Sequence, residues 1–370
     1  MNPDLHSDLN SDLNSDLNPD FFLLALLRLL ADKPKDMSRR LSTFGCAQDV
    51  FANDTELKAE ITDDLKREVD QDIVWLAEPN HHLITQNDAD YPECLRETYD
   101  PPYLVFACGD RSSLSRTDNR VAIVGSRKAS SYGMKRASAI AEELAHQSVV
   151  IVSGLALGID ACAHEGALAA GGITLAILGT GCDFIYPKRN WRLAERIQES
   201  GLVISEFPLR SEAFPSHFPR RNRIVTGLCK ATIVIEAALR SGSLISARLA
   251  LAEGREVMAL PGLVTNMQAR GCHALLKDGA LLIESAHDVL RELGLTDESS
   301  LENSPGIQQL NHDQATLLAC FDQGPLSIDM LTLKVNLPVE ELTVNLVSLE
   351  VLGLIHSDGG YYQRSVLGNR

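Results

Sequence analysis

The chain has 370 residues, 45% of them hydrophobic and 23% charged, with a mean hydropathy of −0.04. That balance fits a globular protein of two or three domains and excludes wholesale disorder. The net charge of −16 argues against a nucleic-acid partner only until it is divided along the chain. Residues 120–288 carry 19 Lys and Arg against 15 Asp and Glu, every other region is acidic, and binding follows the local patch.

The chain opens on a repeat, Ser7-Asp-Leu-Asn10 and two further copies. Ser, Asp and Asn are poor helix-interior residues, so residues 1–19 read as a disordered acidic tail. The apolar run 21–30, with Asp20 as its expected N-cap, starts a small helical domain over 20–78. Broken by Arg28, that run is far short of the roughly 20 residues that span a bilayer. The acidic N-terminus matches neither a secretory signal nor a transit peptide. Eight scattered cysteines without a CxxC pair read as reduced thiols of a cytoplasmic protein.

From residue 83 the texture is turn-rich, with Pro92, Pro101 and Pro102 and one expected strand at 103–107. From 120 it becomes regular. Apolar runs of four to six residues at 121–124, 149–152, 173–178, 202–205, 231–235, 257–260 and 280–283 alternate with helical stretches. Continuous apolar strands separated by helices indicate βαβ units. The expected fold of residues 80–293 is therefore α/β, a doubly wound, mostly parallel sheet. Ligands of such sheets bind beyond the carboxyl ends of the strands. A polar linker at 294–309 leads to a last domain, 310–366. Three helices there, and a hairpin of 351–355 and 361–363 around Asp358-Gly-Gly360, give a winged-helix pattern.

Three segments beyond strand ends carry chemistry. Gly125-Ser126-Arg127 joins a close-approach glycine and a hydroxyl to a guanidinium fork. It is neither GxGxxG nor a P-loop, so the generic dinucleotide and nucleotide readings fail. The second, GTGCDFIYPK, ends in Lys188 just before an expected helix. The third is read as a loop, Ser216 to Arg223. It holds Arg220, Arg221, Asn222 and Arg223 beside Phe214 and Phe218, the mixture that takes phosphates on arginines and splayed bases on rings. Ser153-Gly154 and Ser241-Gly242-Ser243 are further candidate phosphate seats. Asp160 and His164, four apart, are expected to meet within one helix. No Ser-His-Asp arrangement, HExxH or paired-metal cluster is evident, so no catalytic residue, metal or cofactor is expected.

Taken together, ITQNDADYPECL, DPPYLVFACGD, VAIVGSRKASSYG, SGLALGIDACAHEGAL, GTGCDFIYPKRN, SEFP, FPRRNRIVTGL, VIEAALRSGSLISARLALAEGREVMALPG and RGCHALLKDGALL span residues 84–284 in order. They resemble the DNA-processing protein A family (DprA, also called Smf). The resemblance implies an extended Rossmann-like domain that binds single-stranded DNA, forms a homodimer and helps load the recombinase RecA during natural transformation. It implies that Arg127, Lys188 and the FPRRNR arginines map to a positive DNA pocket. Relatives commonly end the turn after SEFP on glycine, where this chain has Arg210.

Two other readings compete. A nucleotide-processing enzyme could use a related architecture, since fold does not fix function, with Glu236 as the candidate carboxylate. A duplex-specific regulator could use the winged helix. Its expected recognition helix, however, carries Glu340, Glu341 and Glu350 and no Lys or Arg, which opposes phosphate contact.

Overall fold

A computed structural model describes residues 19–295, 312–321, 324–335, 337–358 and 360–364. The SDLN repeats and nearly all of the expected linker lie outside the described residues. The chain forms two compact units, divided after Leu295.

The first unit begins with helices α1 (Pro19–Leu29), α2 (Pro34–Phe44), α3 (Ala47–Asn53), α4 (Thr55–Ala59) and α5 (Asp63–Leu76). Asp20 lies within the first turn of α1 rather than at its cap, because Pro19, whose fixed φ suits a first helical position, starts the helix two residues earlier than expected. Phe22, Leu24 and Leu26 of α1 are buried in one core with Leu104, Phe106, Ile197 and Val203. These helices therefore share a core with the α/β sheet. Arg28 of α1 grips the fully buried carboxylate of Asp72 on α5 with two bonds of 2.7 Å. Arg210 donates to the same carboxylate at 2.7 Å. The Arg210 backbone has φ +65°, the left-handed region that glycine tolerates best. Its guanidinium bonds to Asp72 and to the Glu68 carbonyl offset that cost.

Next come β1 (His81–Thr85), α6 (Glu93–Arg96) and β2 (Leu104–Gly109). Five βα units follow: β3 (Arg120–Val124) and α7 (Ser131–His146), β4 (Val150–Ser153) and α8 (Ile159–Ala169), β5 (Thr174–Ile177) and α9 (Trp191–Ser200), β6 (Leu202–Ser205) and α10 (His217–Gly227), β7 (Ala231–Val234) and α11 (Ser243–Ala252). The unit closes with β8 (Glu256–Ala259), α12 (Arg270–Lys277), β9 (Leu281–Leu282) and α13 (Ala286–Glu292). The sheet order is β1-β2-β6-β5-β4-β3-β7-β8-β9. Pairing is parallel from β6 to β9, while β1 and β2 add antiparallel strands at one edge. Strand β1 is absent from the sequence reading because an edge strand that starts with two histidines shows no apolar run.

Alternate strand residues separate to opposite faces, as the two-residue period requires. Val121, Ile123 and Ile151 pack with α7, α8 and α13, whereas Ala122, Val124 and Val152 pack with α10, α11 and α12. From β3 the chain steps through β4, β5 and β6 to one side, then returns with β7 on the other. The loops after β3 and β7 thus flank a topological switch point, where doubly wound sheets bind ligands.

The second unit holds α14 (His312–Cys320), β10 (Leu326–Ser327), α15 (Ile328–Lys334), α16 (Val339–Val351), β11 (Ile355–Asp358) and β12 (Tyr361–Arg364), with its sheet ordered β10-β12-β11. It is a winged helix around Leu317, Leu331, Leu342, Leu346 and Leu349. The first wing strand begins at Ile355, not at 351. Leu342, Leu346 and Leu349 hold α16 to the core at helical spacing, and Gly353, at φ +70°, follows as the turn out of the helix. Among the described residues, no helix is long and apolar enough to cross a membrane.

Candidate functional site

A crevice of about 410 Å³ lies at the switch point. One wall is the loop after β3. Ser126 N–H donates to the Glu236 carbonyl (2.7 Å), and the Ser126 carbonyl accepts from Ile159 N–H at the start of α8 (3.3 Å). The loop is therefore clamped from both sides. Ser130 caps α7 by accepting from Gly133 N–H (3.0 Å). The Glu236 carboxylate receives Ser130 N–H (2.8 Å), Ser130 Oγ–H (2.6 Å) and Asn266 Nδ2–H (3.1 Å). A Cβ on Gly133 would lie 2.6 Å from that carboxyl carbon, so the glycine of SYG makes room for Glu236. The residue read as a candidate catalytic carboxylate is thus buried and engaged in fastening this wall.

The opposite wall is α10. The segment read as a loop is helical from His217. Pro219 lies in the first helical turn, where proline removes no helical bond. Helical periodicity then sorts the arginines. Arg221 and Asn222 face the crevice with Phe218. Arg220 and Arg223, three apart, turn the other way and share the buried carboxylate of Glu206. Arg220 also donates to the Ala31 carbonyl (2.6 Å), and Arg223 pairs with Asp100 (3.4 Å). The structure does not bring these two into the crevice.

Arg221 forms the floor. Its side chain is buried, and Nη1 donates to the Ile177 carbonyl at the end of β5. A Cβ on Gly154 would lie 1.9 Å from that nitrogen, so Gly154 serves the crevice by lacking a side chain. Burial lowers the Arg221 pKa to about 10, opposed by nearby Asp160. The guanidinium is still cationic at neutral pH. Asp160, also in the floor, accepts from Gly154 N–H (3.2 Å), and burial raises its pKa against the pull of Arg221.

The rim carries exposed cations. Arg127 lies with its guanidinium 5.1 Å from the Phe218 ring centre, a cation–π distance. Lys128 and Arg240 line the same crevice. Among the described residues none of the three has an ion-pair partner. Ser241, Gly242 and Ser243 complete the lining, with Ser243 N–H donating to Ser241 Oγ (3.2 Å). A side hollow of about 60 Å³ joins Arg127, Gly154, Phe218 and Arg221 to Tyr186 and Pro187. Lys188, the next residue, is exposed and opens a short 3₁₀ turn.

Other expected site residues lie elsewhere. Ser153 is fully buried and donates to the Ile123 carbonyl (2.6 Å). Phe214 is exposed beside His217, in a separate hollow with Phe207 and Arg210. Asp160 and His164 do not pair. His164 Nδ1 sits 2.7 Å from Thr174 Oγ1, which donates to the Ile151 carbonyl. The proton is therefore on Nδ1, leaving buried Nε2 without a partner. Burial, with Arg221 adding to it, lowers the His164 pKa to about 3. A ring held neutral in this way has no acid–base role near pH 7. The sequence reading missed Lys128 and Arg240. The signal for each was a cation adjoining a glycine–serine turn.

Three comparisons bear on this crevice. The family model described as DNA recombination-mediator protein A matches residues 82–294, and one described as DprA winged helix domain matches 302–360. Protein Smf of Escherichia coli (strain K12) is 40% identical over 307 residues, covering 81% of each chain. The X-ray structure of DNA processing protein A from Streptococcus pneumoniae aligns with a TM-score of 0.58 at 35% identity, covering 75% of this chain and 93% of that one. The Helicobacter pylori protein, whose structure concerns a unique single-stranded DNA binding mode, aligns with a TM-score of 0.53 at 32% identity, covering 58% of this chain and 95% of that one.

Proposed function

The chain belongs to the DNA recombination-mediator protein A family, and from that premise we propose that its switch-point crevice binds single-stranded DNA and that the protein delivers RecA to such strands during recombination and natural transformation. One observation carries the binding reading: Arg127, Lys128 and Arg240, without ion pairs among the described residues, surround a buried Arg221 and share one crevice with Phe218. Cations in a groove track a phosphate backbone, and a ring beside them stacks a base without reading its sequence. The carboxylate that an enzyme reading needs, Glu236, is already held by Ser130 and Asn266. On the winged helix, Glu340, Glu341 and Glu350 are exposed along α16, where a duplex reader needs cations.

The test is fluorescence anisotropy of labelled oligo-dT against a matched duplex. With three to four phosphate contacts, the log–log salt slope is expected at about −2 to −3, a roughly 20- to 60-fold loss of affinity between about 50 and 200 mM salt. Phe218→Ala is expected to cost about 1–3 kcal/mol without changing the slope, because stacking releases no counterions. Equal affinity for duplex and single strand would count against the reading. The delivery step is tested separately. Strand exchange by RecA on strands coated with single-strand binding protein should accelerate when this protein is added, and no acceleration would leave a binder that is not a mediator.

A homodimer belongs to the same reading. Tyr132 (56% exposed) and Leu263 (77%) border one groove, and Val264 (80%) adjoins it. Apolar side chains left this open mark a contact surface, and we assign it to a second copy of the chain. Sedimentation equilibrium should find a dimer, and Leu263→Glu with Val264→Glu should give a folded monomer. A dimer unaffected by that pair of changes would place the contact elsewhere.

A further inference from the structure

The crevice does not account for one aromatic side chain on the same edge of the sheet. Trp191 is the first residue of α9 and is 47% exposed. Because α9 follows β5, its N-terminus lies at the carboxyl edge of the sheet, the edge that bears the crevice. The connection is direct. Asn190, immediately before Trp191, donates from Nδ2 to the carbonyls of Leu155 (2.9 Å) and Ala156 (3.3 Å). Ala156 lines both the crevice and the side hollow. Tyr186, 42% exposed, packs on Phe218 at 5.8 Å between ring centres. Phe218, Tyr186 and Trp191 thus all lie toward the carboxyl edge of the sheet. Lys188 and Arg189, both exposed and without ion pairs among the described residues, lie between the last two. The Arg192 guanidinium sits 5.3 Å from the Trp191 ring centre, and the residue remains about half exposed.

Burying an indole in a core, or pairing it with another apolar surface, would explain a tryptophan at a helix start. Full burial does not hold here, because the residue is half exposed and a guanidinium lies over the ring. A half-exposed indole flanked by Lys188, Arg189 and Arg192 is the arrangement that takes a splayed nucleobase while its phosphates are neutralised. We propose that Trp191 is a second stacking platform, extending the single-strand path beyond the crevice past Tyr186 and Lys188. The ligand is an unstacked nucleobase of the strand whose phosphates occupy the crevice. This rests on the single-strand reading above.

The experiment uses the full chain and oligo-dT of two lengths, about 4 and about 12 nucleotides, within the range of single-strand site sizes. The chain has two tryptophans, Trp75 and Trp191, and Trp75 is stacked on His81 at 3.8 Å. The long oligonucleotide should quench tryptophan emission, and Trp191→Phe should remove the quench while keeping the affinity, because phenylalanine still stacks. Trp191→Ala should weaken the long oligonucleotide roughly 5- to 10-fold and leave the short one unchanged, which also shows that the variant is folded. If both lengths bind but emission stays constant and Trp191→Ala binds both like the parent, Trp191 is off the path and the inference is wrong. If neither length binds the parent protein, the single-strand reading itself fails, and the inference with it.

Discussion

Replacing Arg127 and Lys188 together by glutamate is expected to remove single-strand binding while leaving the fold intact. Both side chains are exposed and lack ion pairs among the described residues, so their replacement should change stability by no more than about 0.5 kcal/mol. On a single strand each phosphate contact releases about 0.7 of a counterion, which is worth roughly fivefold in affinity near 0.1 M salt. Reversing the charge loses that contact and adds repulsion of similar size. Two reversals should therefore weaken binding by on the order of several hundred-fold, read by anisotropy with labelled oligo-dT. Arg223→Ala provides the contrast. It leaves the buried Glu206 carboxylate with Arg220 alone, a loss smaller than the roughly 3–5 kcal/mol of a fully broken buried pair but larger than that of a surface change. That variant should melt early, whereas the double glutamate variant should melt like the parent. A double variant that still binds within a few-fold of the parent would remove the crevice from the account.

Acid is expected to destabilise the protein well above the carboxylate range, and His164 is the reason. Its folded pKa is about 3, against about 6.5 for an unfolded histidine. Above about pH 6.5 the ring is neutral in both states and its contribution is fully present. As pH falls, the unfolded chain takes up a proton that the folded chain refuses, so stability drops by about 1.4 kcal/mol per pH unit. The loss is complete near pH 3, at about 5 kcal/mol in total. The carboxylates lowered by hydrogen bonds and arginines, Asp36 and Asp90 among them, act below about pH 4. Asp160, raised by burial, works in the opposite sense, with stability lost as pH rises through its folded value. The comparison is therefore between the parent and His164→Gln, by urea unfolding from pH 4.5 to 6.5. The variant should show a pH slope flatter by up to about 1.4 kcal/mol per unit. Identical slopes would mean that His164 titrates in the folded protein.

The parallel strands were legible because both of their faces are covered. Residues 121–124, 202–205 and 231–234 are apolar almost without interruption, and all are buried. That the GSR loop lies at the carboxyl edge of the sheet followed from that regularity, whereas the switch point required the strand order. What was not legible depended on three-dimensional neighbours. Strand β1 hides because an edge strand needs no apolar run. The sorting of Arg220 and Arg223 from Arg221 becomes visible only once Pro219 is placed in a first helical turn, since the helix then puts 220 and 223 on one side. Asp160 and His164 had the spacing of a helical pair, yet each found a partner from another segment, Gly154 and Thr174. Arg210 departs from the family's glycine but keeps a glycine-like φ, a substitution made tolerable by Asp72, 138 residues earlier in the chain.

The claim that the strand lies in the switch-point crevice is tested most directly by hydrogen–deuterium exchange of the full chain with and without saturating oligo-dT. Protection is expected in the loop 125–130, in 155–158, in 186–192, at the start of α10 and in 240–243. The winged helix, 312–364, should exchange at the same rate in both samples. Protection confined to the winged helix, with the crevice loops unchanged, would contradict the account.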